Sequence, residues 1–522
     1  MFIFGDQIKD NQKIDTDICV VGSGFAGIGC SQEFLGTDTS VVILESGLLA
    51  PDKDVDLLNH GVSSGISLAR GLSGSRNRQF GGTSASWSGG AGYLEPIDFR
   101  KRLWINNSGW PIDESDLESH YEKAYELLEL GCHSNVRKQI DKDLVKDIFS
   151  ADVEHVTRFI SPPVNLVKSQ YKTYKNAQNI EVFLGSTVTD LVEHESGKSV
   201  KEVCVETLGG KRFVVKAKYV VLCCGGLENA RILLGSNGLK QVNRTHKNIG
   251  KYFMQHLYFK SPRLLDSPLA KRYAIDELNQ PHVFMAGQLL LRLNDAVQKK
   301  YSLLNSSIHY RPYDMNSGSN AMLGLLKAIK RRELSRRTIR NVKNLLSDPL
   351  DAFGLFYDLT FGFRSAEMEG YLCMEQSPNR ESCVKLSDER DRFGVPKLEV
   401  NWQCTDYDLE CYQKLTRLYG EQLIPTAKKD KLNMTPEFDE LSGWSRASGS
   451  ALHDGNHHMG TTRMSDSVNS GVVDENCVVH GVSNLYTLGS SVFPTGGAIN
   501  PTMTILALSH RAAVNIKSRL RS

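Results

Sequence analysis

Asp17-Ile-Cys-Val-Val-Gly22-Ser-Gly24-Phe-Ala-Gly27 decides how this chain is read. Behind Asp17 the run is continuously apolar, as a parallel strand buried on both faces requires. It opens into Gly-x-Gly-x-x-Gly, and an apolar-periodic stretch through Phe34 follows as a helix. A second apolar run, Val41-Val-Ile-Leu44, ends in Glu45. In this order of strand, turn, helix, strand and acid, each glycine has its own task. Gly22 makes the turn, Gly24 lets the backbone approach a pyrophosphate, and Gly27 lets helix and strand pack closely. The helix N-terminus then faces the phosphates, and Glu45 is placed to accept hydrogen bonds from a ribose diol. A dinucleotide site follows, with FAD and NAD both open.

Outward from this motif, the composition limits what else the chain can be. At 522 residues it exceeds one ordinary core, so two domains are expected, possibly interleaved. Forty per cent apolar and 23% charged residues are ordinary globular values. The formal charge of +2, from 62 Lys and Arg against 60 Asp and Glu, gives no general attraction to nucleic acid or an anionic membrane. No stretch reaches the roughly 18 apolar residues of a spanning helix, and the N-terminus turns polar too soon for a secretory leader. No integral membrane segment, no nucleic acid and a cytoplasmic location are expected. The 11 cysteines lack a repeated spacing, so neither a disulfide framework nor a zinc site is suggested.

Downstream, Arg78-Gln-Phe-Gly-Gly-Thr-Ser-Ala-Ser-Trp-Ser-Gly-Gly90 is a loop dense in glycine and hydroxyls that can lay amides against a flat ring or a diphosphate. An acidic start at Asp113 and apolar residues at Leu117, Tyr121, Ala124, Tyr125 and Leu128 predict a helix. Ile180 to Val192, Val200 to Thr207 and Arg212 to Lys216 predict a meander. Tyr219-Val-Val-Leu-Cys223 then feeds Gly225-Gly226 and a helix over Leu227 to Leu234, so the nucleotide domain resumes. Phe284 to Leu293, Tyr301 to Tyr310 and Glu369 to Gln376 alternate as strands of a half-exposed antiparallel sheet. Between them a locally basic stretch, Leu323 to Lys343, reads as a solvated helix; a docking face is the competing reading.

The last seventy residues hold two polar clusters, His453-Asp-Gly-Asn-His-His-Met-Gly-Thr-Thr-Arg-Met464 and Gly496-Gly-Ala-Ile-Asn-Pro-Thr502. Pro501 suits the first turn of a C-terminal helix, which loses no donor there. Asn500 then sits at the cap, and the positive helix end points where Asn500 points. A metal held by His453, His457 and His458 lacks the carboxylate or cysteine pattern such a site needs.

The order of these elements resembles the glucose-methanol-choline (GMC) oxidoreductase family, within it the branch of pyranose oxidases and related sugar oxidoreductases. The anchors are Gly22 to Gly27 with Glu45, Gly81-Gly-Thr-Ser-Ala-Ser-Trp87, Ser108-Gly-Trp-Pro-Ile112, His457-His-Met-Gly460, and Asn484 through Asn500-Pro501. The resemblance implies FAD. It implies a Rossmann-like α/β FAD domain over residues 1–100, 178–255 and 446–522, interleaved with an α+β, antiparallel-sheet substrate domain over 101–177 and 256–445. Candidate FAD contacts run from Gly22, Gly24, Phe25, Ala26 and Gly27 through Glu45 and Ser46 to Arg78, Gly81, Gly82, Thr83, Ser84, Trp87 and Ser88. Val188, His458, Gly489, Ser490, Pro501 and Thr502 complete the set.

By the same resemblance His457 is the catalytic base and Asn500 its partner. His457 takes the proton of an alcohol or sugar hydroxyl while hydride leaves the same carbon for flavin N5, and oxygen or another acceptor reoxidises the flavin. One position departs from the branch: Ser86 stands where pyranose oxidases carry a histidine joined covalently to the flavin, so non-covalent FAD is expected. Dehydrogenation of a non-sugar alcohol, an NAD-linked enzyme and a catalytically silent flavoprotein serving as a binding module are the alternatives.

Overall fold

The structure, a computed structural model, describes residues 1–68, 70–130, 151–156, 158–161, 164–264, 289–312, 321–322, 325, 336–347, 349, 368–422, 434–435 and 453–521. The expected fingerprint strand is Gln12–Val21, flanked in parallel by Val41–Glu45 on one side and Arg212–Leu222 on the other. The parallel set continues through Ile180–Leu184 to Phe2–Phe4. Every residue of Val41–Glu45 is buried, because elements cover both faces of the sheet.

Arg212–Leu222 divides its free edge. Its first residues pair antiparallel with Val200–Thr207, which pairs with Ser186–Glu193, while Val220 to Leu222 run parallel to Leu485–Thr487. The C-terminal strand is thereby threaded into the N-terminal domain. The expected single stretch from Ile180 to Val192 is two strands, because Gly185 turns the chain at φ +64°.

A second sheet is antiparallel and, among the described residues, seven-stranded, with Leu257–Leu264, Met368–Met374, Ser306–Pro312 and Leu289–Leu293 adjacent in that order. His453–Asp454 pairs with Leu257–Leu264, which brings the histidine cluster to the junction of the two sheets. Arg102 ties the segment before Trp110 to this sheet, its two terminal nitrogens each 2.7 Å from a Glu375 carboxylate oxygen in a buried pair.

Several expectations change. The second sheet is not half-exposed where it is described: Ser306, Ser307, Ile308 and His309 are all buried. The Tyr419 hydroxyl, on helix Asp406–Gln422, meets Ser306 Oγ at 3.1 Å, and Ser307 Oγ donates to the Ala498 carbonyl at 2.9 Å from the opposite side. Tyr301 ends a helix, Asp295–Tyr301, instead of starting a strand; Asn294 caps it by accepting from Val297 N–H. The helix expected after Asp113 is two short ones, Ser115–Glu118 and Tyr121–Leu127. The strand expected from Phe284 is described only over Leu289–Leu293. Of the basic stretch, most of 323–335 lies outside the described residues. Arg336–Ser347 is helical with Ile339 and Leu346 exposed, so its outer face is more apolar than a solvated helix requires. Among the described residues no helix is long and apolar enough to cross a membrane.

Candidate active site

The fingerprint turn takes the form that its glycines predict. Gly22 has φ +94°, and a Cβ there would lie 2.8 Å from the Cys223 carbonyl oxygen, so a side chain is both strained and blocked. A Cβ on Gly27 would overlap the Gly22 carbonyl oxygen, which makes Gly27 a packing glycine. Gly24 differs: a Cβ there would meet no described atom within 4 Å, because Gly24 faces a cavity of about 420 Å³. That volume is within the roughly 300–1,000 Å³ of ordinary ligand clefts.

The cavity collects residues from both ends of the chain. Gly22, Gly24, Phe25, Ala26, Glu45, Ser46, Arg78, Gly82, Thr83, Trp87, Ser88, Val188, His457, His458, Gly489, Ser490, Asn500, Pro501 and Thr502 line it. Gly27, Gly81 and Ser84 do not. Gly81 turns the loop at φ +83°, and Ser84 Oγ accepts from Leu166 N–H at 3.0 Å, tying the loop to helix Leu166–Asn176. Trp87 is held edge-on to Phe25 at 4.8 Å between ring centres, with its indole N–H donated to the Val164 carbonyl.

Glu45 is occupied within the loop. Its carboxylate accepts from Ser23 N–H and Oγ–H, at 3.1 and 2.6 Å, and from Gly47 N–H at 2.8 Å. With a longer contact from Ser46 Oγ at 3.4 Å, each carboxylate oxygen faces two donors, and these bonds brace the fingerprint turn against the second strand.

The sequence did not disclose the charged wall of this cavity. Glu228 sits among Arg76, Arg78 and Arg231, at 2.5, 2.9 and 3.3 Å. Burial alone would raise the Glu228 carboxyl, but Arg78, Arg231 and Arg76 hold it well below the usual carboxylate range. Asp391 pairs with Arg231 at 2.6 Å, so against Glu228 the guanidinium groups of Arg76 and Arg78 leave the wall positive, which suits a diphosphate. The Glu228–Arg231 spacing on the helix was the available signal; nothing local linked it to Arg76.

The first C-terminal cluster is stitched to the segment just ahead of the second. Gly460, Thr462 and Met464 donate their N–H groups to the carbonyls of Ser490, Ser491 and Val492. Ser490 Oγ donates to the His458 carbonyl at 2.6 Å, and a Cβ on Gly226 would overlap that carbonyl. His458 is packed in place, and burial, with Arg76 nearby, pushes its pKa down to about 3, so it is neutral. The turn carries His457 toward Asn500, whose Nδ2 lies 3.3 Å from His457 Nε2. On the other edge of the ring, His457 Nδ1 lies 2.8 Å from Nδ1 of His256, a residue that sequence reasoning passed over. The His256 Nε2 is 3.0 Å from the Gly496 carbonyl oxygen. Tyr258, on the second sheet, brings its ring to 6.4 Å from that of His457.

Two buried polar atoms on the cavity wall, His458 Nε2 and Asn500 Oδ1, have no hydrogen-bond partner among the described residues. Unmet polar groups of this kind fit a ligand with ring nitrogens and carbonyls. The open Gly24 cradle and the positive wall fit its diphosphate.

Comparison with known proteins agrees with this geometry. Residues 378–509 match the family model for GMC oxidoreductase. The chain is 21% identical to 2-methyl-1,2-propanediol dehydrogenase of Mycolicibacterium austroafricanum, over 97% of this chain and 95% of that one. It is also 21% identical to paromamine 6'-oxidase of Streptomyces fradiae, over 99% and 94%. Among solved structures, a variant of Aspergillus oryzae RIB40 formate oxidase, studied for FAD modification, superposes with a TM-score of 0.56 at 14% identity, covering 98% of this chain and 100% of that one. The C-terminal part of the chain thus matches the GMC oxidoreductase family, and the chain's two-sheet α/β architecture is that of the solved GMC structures. The chain is an oxidoreductase acting on CH–OH groups, and the family implies FAD as its cofactor.

Proposed function

We propose that this protein oxidises a sugar or glycoside hydroxyl to a carbonyl, with His457 as the base, Asn500 beside it and FAD held without a covalent bond. The observation that carries the reading is the meeting of His457 Nε2 and Asn500 Nδ2, 3.3 Å apart, on the wall of the cavity that also contains Gly24. When bound, FAD supplies the hydride acceptor.

The chain's own residues supply the rest. His457 Nε2 takes the hydroxyl proton, a step that contributes about 10²- to 10⁴-fold in comparable enzymes. The Asn500 amide orients the substrate oxygen against that nitrogen. Gly22, Gly24, Gly82 and the guanidinium groups of Arg76 and Arg78 hold the diphosphate. The first sheet with its helices serves as the FAD domain, and the second sheet, presenting Tyr258, as the substrate domain. Ser86, on the cavity wall, accepts from Asn77 Nδ2 at 2.7 Å and has no imidazole to bond to a flavin. Acid precipitation is therefore expected to release the yellow chromophore; flavin retained in the pellet would reject the non-covalent mode.

A non-sugar alcohol is the second reading, favoured by the full-length match to a diol dehydrogenase. Anaerobic bleaching of the purified flavoprotein by a panel of sugars, glycosides and 1,2-diols separates the two. Bleaching by diols alone would reject the sugar reading.

A further inference from the structure

The hydrogen-bond chain behind His457 has a direction. His256 is completely buried, and its Nε2 meets the Gly496 carbonyl oxygen at 3.0 Å. A carbonyl can only accept, so His256 Nε2 carries the hydrogen. Burial disfavours the imidazolium form, so in the neutral ring His256 Nδ1 is a lone pair. The 2.8 Å contact between the two Nδ1 atoms then needs its hydrogen from His457. A neutral His457 protonated at Nδ1 has its lone pair at Nε2, where Asn500 Nδ2 approaches as a donor at 3.3 Å. Every donor in the chain meets an acceptor. In the opposite tautomer of His457, two lone pairs would face each other at Nδ1 and two N–H groups at Nε2.

We infer that His256, anchored by the Gly496 carbonyl, is the positioning residue that fixes His457 in the Nδ1–H tautomer and so presents Nε2 as the proton acceptor. The inference rests on the reading of His457 as the base. When the substrate O–H bond breaks and the Nε2–H bond forms, His457 becomes an imidazolium whose Nδ1–H still has an acceptor. The Gly496 carbonyl cannot take up a proton, so the chain ends at His256 and the proton stays on His457. The segment 496–500 thus brackets the histidine pair, with Gly496 behind His256 and Asn500 in front of His457.

The test is nitrogen NMR of the holoprotein labelled with ¹⁵N-histidine, with the His457 resonances assigned by their loss in His457→Ala. The parent protein is expected to show His457 protonated at Nδ1. In His256→Phe, which fills the ring space without an acceptor, that preference should disappear, and anaerobic flavin reduction by the most effective alcohol of the panel should slow by about 10²-fold. In His256→Asn, whose Oδ1 can stand where Nδ1 stood, the Nδ1–H tautomer and most of the rate should return. A parent His457 protonated at Nε2 would overturn the inference even if His256→Phe failed to fold. So would a folded His256→Phe that kept the parent tautomer and rate. Failure of the base reading looks different: His457→Ala would then reduce its flavin at the parent rate.

Discussion

Replacing Gly24 with valine should empty the cofactor site while leaving the fold standing. Gly24 has φ −72° and ψ −165°, an extended conformation open to any residue, and no described atom lies within 4 Å of the position its Cβ would take. The protein itself loses only the preference for glycine over valine ahead of the helix, about 1 kcal/mol. The isopropyl group instead occupies the cavity where backbone must approach the diphosphate. Displacing the phosphates from about two charge-assisted backbone bonds, at roughly 1.5–3 kcal/mol each, costs about 3–6 kcal/mol. That is about 10²- to 10⁴-fold in Kd. Fluorescence titration of apoprotein with FAD measures the loss, and a melt of the same apoprotein checks the fold. Gly27→Val is the contrasting variant, because its side chain would run into the Gly22 carbonyl and abolish folding. If Gly24→Val bound FAD within threefold of the parent, the cradle would be in the wrong place.

Two more predictions concern charge. Glu228→Gln leaves Arg76, Arg78 and Arg231 facing one another without their carboxylate, and should destabilise the protein by about 3–5 kcal/mol in denaturant unfolding. Because the guanidinium groups outweigh burial and hold the folded pKa of Glu228 below its unfolded value, its contribution is present above about pH 4.3 and is lost as the pH falls toward the folded value. The variant should therefore show a flatter acid limb. His120 acts in the same direction from a different cause: burial, then the nearby His510, pushes it down to about 4. Between its unfolded value of about 6.5 and that value the unfolded chain takes up a proton that the fold refuses, so stability falls with pH in this window. His120→Gln should flatten thermal melting over pH 6.5 to 4; an unchanged slope would reject the assignment.

What the sequence disclosed followed from local rules. The strand, glycine turn and acid from Asp17 to Glu45 form one contiguous unit, so the turn could be read glycine by glycine. His457 and Asn500 were singled out by the family resemblance, on motifs flanking a glycine and a proline. The missed features are those that only tertiary contact creates. His256 is a lone histidine about two hundred residues before its partner, and no spacing rule connects them. Arg76 and Glu228 meet across 152 positions. The second sheet was misjudged because alternation reports which residues share a face, not whether a face is later covered. Tyr301 to Tyr310 alternates, yet Ser307 and His309 within it are buried, Ser307 against the segment through Ala498. At Tyr301 the strand reading overlooked a cap signature, Asn294-Asp295, that was legible.

Flavin reduction in His457→Ala tests the central claim most directly. The substitution removes the imidazole that faces Asn500 without touching Gly24, Glu45 or the arginine wall, so the variant should bind FAD as the parent does. Mixed anaerobically with the alcohol that bleaches the parent fastest, its flavin should be reduced about 10²- to 10⁴-fold more slowly. Full flavin occupancy together with reduction at the parent rate would contradict the assignment of His457 as the base.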